Sequence, residues 1–253
     1  DEPFTIVGCV FQTYWIIQQG DGVYLMDQHA AHERLLYDAL TRKEMEIVSQ
    51  PMLYPEKITL IAQSVNQYTI DRRIQSHILI PKVSAKYTAI LDGDDFWVDP
   101  DKLQKQLSYL EAHPDCTLCI GGADLVDVDN RVIGRVAPYD VDRVVDPADM
   151  IRGGGGFNAT NTIVMPTQLL KDLPQFADYV EAEDIPFQLL GALSGYAWYI
   201  AVTLMAYRIA VPGSWSTRQY ASAMETRIKT SRDLIALNEG YDAFSNGKYH
   251  EAF

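Results

Sequence analysis

The chain has 253 residues, 47% of them hydrophobic, enough to bury a core in one large domain or two modest ones. Asp and Glu number 34 against 21 Lys and Arg, a formal net charge of -13, and acidic residues outnumber basic ones on both sides of residue 80. That balance disfavours a nucleic-acid partner, whose phosphates are gripped by clustered Lys and Arg. The 3 cysteines give no disulfide framework, and no secretory pattern opens the sequence. The longest apolar stretch, Ala197 to Tyr207, falls short of a membrane span, so a reducing, cytoplasmic location is expected.

In chain order, two apolar strands come first, roughly Phe4 to Gln18 and Val23 to Met26, on either side of Gly20-Asp21-Gly22, a hairpin signal. A short amphipathic helix follows from about His29, with Leu35, Leu36 and Leu40 available for a core. His29 and Glu33 are four apart and share a helix face, with Asp27 just before them, so the three could ligate a metal. The same pattern also reads as a helix start with Glu33 on a solvated face. The segment resembles the C-terminal dimerisation domain of the mismatch-repair protein MutL, whose nuclease-competent members carry Asp-Gln-His-Ala, two residues, Glu, four residues, Glu. Asp27-Gln28-His29-Ala30 and Glu33 match, Asp38 stands where the last Glu is expected, and Ser49-Gln50-Pro51-Met52-Leu53 is similar to the strand that follows in that family. The resemblance implies a homodimer and a nuclease metal site at Asp27, His29 and Glu33. It fades after about Leu60, and the Cys- and His-bearing motifs that complete the family's zinc site have no counterpart, which leaves that site half built.

Between Leu60 and Pro81 no pattern dominates, and a join between two parts is expected there. Tyr87-Thr88-Ala89-Ile90-Leu91 then reads as a strand that runs into Asp92-Gly93-Asp94-Asp95 and the aromatic pair Phe96-Trp97. Three carboxylates in four residues repel one another, and a divalent cation of the Mg or Mn kind would relieve them through hard oxygen ligands. An acidic turn after a buried strand is the other reading of the same residues. Asp99-Pro100 opens a helix with Asp as N-cap and Pro at the first position; Leu103, Leu107 and Leu110 share one face until Pro114 stops it. The stretch from Lys86 to Cys119, with YTAILDGDDFWVDPDKLQKQLSYLEAHPDC inside it, resembles the family-two glycosyltransferases. Their nucleotide-sugar domain carries an Asp-x-Asp motif, an aromatic and a similar helix.

That resemblance implies that Asp94 and Asp92 hold the metal, with Asp92, Asp94, Asp95 and Arg208 binding the sugar-nucleotide diphosphate. It further implies that Asp184, beside Glu183, is the general base for an acceptor hydroxyl, with inversion at the sugar carbon. Tyr207-Arg208 and Ser214-Trp215-Ser216 look like an element near the end of the family's catalytic domain. Two departures stand out: Ala210 replaces a His that members often carry after the Tyr-Arg pair, and the strand-helix-strand start with its Asp-rich turn has no counterpart upstream. Read without the family, Glu183-Asp184 is a helix N-cap followed by a first-turn acid.

Further along, Cys116 and Cys119 in an apolar run read as buried thiols in a strand, and Leu125–Val128 with Arg131–Val136 as a hairpin around Asp129-Asn130. Asp146-Pro147 opens a short helix ending at Gly153 to Gly156, a run that cannot hold regular structure cheaply and reads as a mobile lid or a plain linker. Asn158-Ala159-Thr160 fits a glycosylation acceptor pattern that is read as incidental. Strands are predicted over Asn158–Met165 and Tyr196–Val202, a short helix over Thr167–Leu173, and a closing helix from Thr217 to Asn246 that packs through Met224, Ile228, Leu234 and Leu237. The expected fold is α/β: over residues 81–253 a GT-A-like mixed sheet flanked by helices, and over residues 1–80 a small MutL-like β-hairpin plus helix. Three readings stay open: a glycosyltransferase using a nucleotide-sugar donor, an unknown acceptor and Mn or Mg; a MutL-type dimerisation or endonuclease module; and a chimeric chain with no complete active site.

Overall fold

The computed structural model describes residues 4–10, 14–19, 22–27, 61, 65, 67, 70–209 and 224–253. The chain divides into two compact units, Asp1–Leu60 with Ala210–Ala221, and Ile61–Ile209 with Ser222–Phe253. The connecting stretch 61–80 goes with the second unit, where Ile80 is buried.

Within the first unit, β1 (Phe4–Val10), β2 (Tyr14–Gln19) and β3 (Gly22–Asp27) form an antiparallel meander in the order β1-β2-β3. The single long strand expected from Phe4 to Gln18 is therefore two strands, with Val10 opposite Tyr14. Phe11-Gln12-Thr13 holds neither Gly nor Pro, so the sequence does not advertise this reversal, although a strand of some 15 residues would be unusually long. The expected second hairpin forms, closed by the Gln19↔Gly22 pair. The helix expected from His29 lies outside the described residues.

A seven-stranded mixed sheet organises the second unit. Its strands are β4 (Tyr87–Ala89), β5 (Phe96–Trp97), β6 (Cys116–Val126), β7 (Val132–Val136), β8 (Arg143–Val144), β9 (Val164–Pro166) and β10 (Tyr196–Arg208). Their order is β4-β9-β6-β10-β5, with β7 added to β6 and β8 to β10, and only β6 and β10 run parallel. Side chains alternate between two cores, as strand geometry requires. Leu118, Ile120, Ala197 and Tyr199 face one, where α2 (Pro147–Gly153), α3 (Thr167–Lys171), α4 (Asp184–Ser194) and α5 (Met224–Phe244) contribute Met150, Leu170, Phe187 and Leu237. Cys119 and Ile200 face the other, covered by Leu103, Leu107 and Leu110 of α1 (Lys102–Ala112). Helices thus lie on both faces of the sheet.

Most local expectations hold, with shifts that have local causes. Asp99 accepts from the amide of Asp101 (2.9 Å) and from Lys105, so its cap serves a tight first turn and the regular helix starts at Lys102. Asp146 caps α2 by accepting from Ala148 N at 2.9 Å, with Pro147 in the first position. The glycine run is more ordered than expected: Gly153 ends α2 and Gly154–Gly156 form a 3-10 turn, entered through Gly154 at φ 53°. Cys116 and Cys119 are buried in β6, and β6 and β7 pair around Asn130, which takes φ 64°. Asn158 is 2% exposed and hydrogen-bonded inward to Ala159 O, so its glycosylation pattern is inaccessible.

The closing helix departs most from expectation. Met224 and Ile228 are 68% and 45% exposed, whereas Leu234 and Leu237 pack as expected, joined by Tyr241. Tyr241 donates to Pro186 O (2.7 Å) and meets Phe176 edge to face, while Gly240 lies under that ring, where a Cβ would stand 2.5 Å from Phe176 Cγ.

Candidate functional site

The acidic residues follow β4. Ile90 still bonds to Ile163 O, then the chain turns, with Asp95 N donating to Asp92 O at 3.2 Å. Asn161, fully buried in a 3-10 turn (Thr160–Thr162) just before β9, clamps both ends of that turn. Its Oδ1 accepts from Asp92 N at 2.8 Å, and its Nδ2 donates to Asp95 Oδ2. Arg208, the last residue of β10, closes the other side: its amide donates to Asp95 Oδ1 (2.7 Å), Nε to Asp94 O (2.9 Å) and an Nη to Asp127 O (3.0 Å). The acidic turn is thereby fastened at the carboxyl ends of β6 and β10, where ligand sites of α/β sheets form.

Asp184 opens α4 and reaches the same place. Thr160 Oγ1 donates to its Oδ2 at 3.4 Å, and a Cβ on Gly155 would lie 3.9 Å from that oxygen, so the glycine turn runs beside it. Burial pushes the carboxyl of Asp184 up, against the amide of Ile185, and the charge of Asp92 adds to the rise. Asp92 is raised by burial and then by Asp94. Asp95 is raised to about 6, chiefly by burial and opposed by the Arg208 amide, with Asp94 and Asp92 adding repulsion. Tyr207 is pushed up to about 12 by burial and then by the charges of Asp95, Asp184, Asp92 and Asp94.

Glu183, expected at the catalytic centre, is used differently. Its carboxylate accepts from the amides of Gln75 (2.9 Å) and Ser76 (2.7 Å) and from the Ser76 hydroxyl, at the start of a π-helix over Gln75–Leu79. Asp95 has both oxygens engaged by Asn161 and Arg208, which gives it a positioning role, and the Arg208 side chain is spent on loop carbonyls. Half-buried Asp92 and exposed Asp94 remain as the acids not tied up within the turn: among the described residues, none of the ion pairs involves Asp92, Asp94, Asp95 or Asp184. No group of three His, Cys, Asp or Glu among the described residues is arranged to hold a metal ion. Two carboxylates still suit Mg or Mn, which is commonly held by one or two protein carboxylates together with substrate phosphate oxygens. Uncompensated charge and an all-oxygen donor set meet that requirement.

Asn161, Thr160, Gln75 and Tyr207 are the site residues that sequence reasoning did not assign roles. Of the other set, Asp27 ends β3, while His29 and Glu33 lie outside the described residues.

Comparison with known proteins gives two kinds of match. Residues 7–71 match the family described as MutL C terminal dimerisation domain. The DNA mismatch repair protein MutL of Caldanaerobacter subterraneus is 44% identical over 55 residues, covering 22% of this chain and 9% of that protein. The MutL of Agathobacter rectalis is 40% identical over 64 residues, covering 24% and 10%. An uncharacterized protein of Mycobacterium tuberculosis is 28% identical over 134 residues, covering 51% of this chain and 36% of its own length. This last similarity is longer than the 7–71 segment and so extends into the rest of the chain. The chain spans only 9–10% of these MutL proteins and 36% of the mycobacterial one. The N-terminal part of the chain is thus similar to the MutL C terminal dimerisation domain over residues 7–71. Among the described residues, no helix is long and apolar enough to cross a membrane.

Proposed function

We propose that the two units carry separable functions: self-association in the first, and metal-assisted transfer of a sugar from a nucleotide-sugar donor to an acceptor hydroxyl in the second. The family match over residues 7–71 supports the first. Light scattering on the intact chain should give a mass about twice 28.5 kDa at micromolar concentration. A monomer at all concentrations up to about 100 μM would rule out the module, since that corresponds to an affinity weaker than roughly -5.5 kcal/mol.

One observation carries the second function: the turn bearing Asp92 and Asp94 and the helix start bearing Asp184 are brought together by Asn161 and Thr160 of a single 3-10 turn, and among the described residues their carboxylates form no ion pair. Asp92 and Asp94 would hold Mg or Mn. A cation bound there would neutralise charge on the departing diphosphate, which then needs no separate acid. Asn161 and Arg208 fix the turn that presents those oxygens. Asp184 takes the proton of the acceptor hydroxyl as that oxygen attacks the sugar carbon from the face opposite the diphosphate, giving inversion. Burial suits Asp184 to this task, because a raised pKa makes a stronger base. Thr160 holds one carboxyl oxygen and thus its orientation.

Asp184→Asn separates this role from binding. UDP release from a panel of UDP-hexoses with Mn should fall by about 10²- to 10⁴-fold, the range for loss of a general base, with UDP affinity unchanged. A fall confined to affinity, or no fall, would remove Asp184 from the chemistry.

A further inference from the structure

Residues 71–79 reach the acidic site through polar contacts. The π-helix within this stretch buries none of its residues. Glu183 holds its first amides, Gln75 Nε2 lies 3.5 Å from Asp92 Oδ1, Arg73 donates to Asp178 O at 2.7 Å, and Arg72 pairs with Glu181 at 2.5 Å. A segment held this way opens at low free-energy cost compared with one anchored in a core. Among its contacts is His77, whose Nδ1 stands 2.6 Å from Asp71 Oδ2 and whose Nε2 stands 3.3 Å from Asp178 Oδ1. A neutral imidazole has one donor nitrogen and one acceptor, so it can satisfy only one of these carboxylates and sets a lone pair against the other. Only the imidazolium donates to both.

We propose that residues 71–79 form a pH-operated latch on the acidic site, closed while protonated His77, oriented by Asp71 of the same stretch, holds that stretch to Asp178. The hydrogen bond to Asp71 raises the pKa of His77, against partial burial, and Asp178 adds to the rise. Arg73, 3.6 Å from both Asp71 and Asp178, shares these carboxylates and tempers the effect. Glu181 faces Arg72, with Lys229 of α5 close enough to feel both, and Glu183 faces the helix amides. The sign follows from the raised value: the contribution of His77 to closure is complete below about pH 6.5 and is lost as pH climbs through its higher folded-state pKa. Asp71 is held below its ordinary value by His77 and stays ionised throughout that window. Opening withdraws Gln75 from Asp92 and strips Glu183 of its amides, leaving an unpaired carboxylate next to Asp184. The regulatory meaning of this movement rests on the sugar-transfer reading of the site, whereas the latch itself does not.

Hydrogen exchange on the intact chain at pH 5.5 and 8.5, corrected for the intrinsic pH dependence of exchange, tests the latch without donor or cation. Peptides covering 71–79 should open about two- to fivefold more at pH 8.5, the scale of partly exposed ion pairs, while those of β6 stay unchanged. His77→Gln should flatten the response, and Asp178→Asn should lower the pH of its midpoint. No response in the parent chain, an undiminished response in His77→Gln, or an unmoved midpoint in Asp178→Asn would each overturn the proposal. Since nothing in this experiment depends on catalysis, a negative result leaves the sugar-transfer reading to its own test.

Discussion

Replacing Asn161 by Ala is expected to lower stability by about 2–4 kcal/mol and to abolish the nucleotide binding proposed for the acidic turn. The side chain is fully buried and makes two bonds that hold the turn, one from the Asp92 amide and one to the Asp95 carboxylate. A hydrogen bond to a charged group contributes about 1.5–3 kcal/mol, and a buried group left without its partner costs about 1–3 kcal/mol. Asp95, 9% exposed, would keep only the Arg208 amide, and its carboxyl would be pushed further up. Asn161→Asp distinguishes the bond from the space it fills. The substitution keeps the volume but sets a carboxylate oxygen where the donor stood, so at neutral pH it should be worse than Ala through like-charge repulsion. Urea denaturation of the three proteins measures the order; Asp milder than Ala would mean that packing, not the bond, is what matters.

Lys102→Met should have the opposite sign. Lys102 is 1% exposed, its Nζ has no hydrogen-bond partner among the described residues, and it lies 4.5 Å from the centroid of the Trp97 ring. Burial lowers its pKa from the ordinary 10.5 to about 8. At pH 7 the ammonium is thus held charged in an environment that disfavours charge, with only the ring face as compensation, an attraction of roughly 1–2 kcal/mol. An apolar chain of similar volume removes that burden, and a gain of about 1–3 kcal/mol at pH 7 is expected. The pH dependence checks the cause. Between about pH 8 and 10.5 the unfolded chain binds a proton at Lys102 that the folded chain lacks, so the stability of the parent protein rises with pH across that window. The advantage of the Met variant should therefore be constant below pH 8 and shrink above it. Half-buried Tyr139 and Tyr207, each raised to about 12, push the other way from about pH 10, and taking the difference between the two proteins cancels them.

How much of this could be seen in the residues depended on the range of each interaction. The acidic cluster, the Asp99 and Asp146 caps, the β6–β7 hairpin and the buried thiols are local patterns, and they lie where the spacing put them. What escaped is non-local. Asn161 is 66 positions from Asp95, and no pattern in Asn-Ala-Thr-Asn-Thr announces that one amide will clamp an acidic turn. Glu183 looks like a catalytic neighbour of Asp184, yet its partners are amides more than 100 positions upstream. Periodicity likewise failed on α5: Met224 and Ile228 continue the spacing of Leu234 and Leu237, but the surface provided by Phe176 and Pro186 reaches only the second half of the helix. At the N-terminal end the pairing of β1 with β2 is not legible because Phe11-Gln12-Thr13 between them includes none of the usual turn-forming residues.

Calorimetric titration of UDP into the intact chain, with and without Mn and beside Asp94→Ala, tests most directly whether the acidic turn is a metal-assisted nucleotide site. Heat of binding that requires both Mn and Asp94 is the expected result. Absence of binding, or binding indifferent to either, would contradict it and leave residues 81–253 as a folded scaffold bearing an inactive motif.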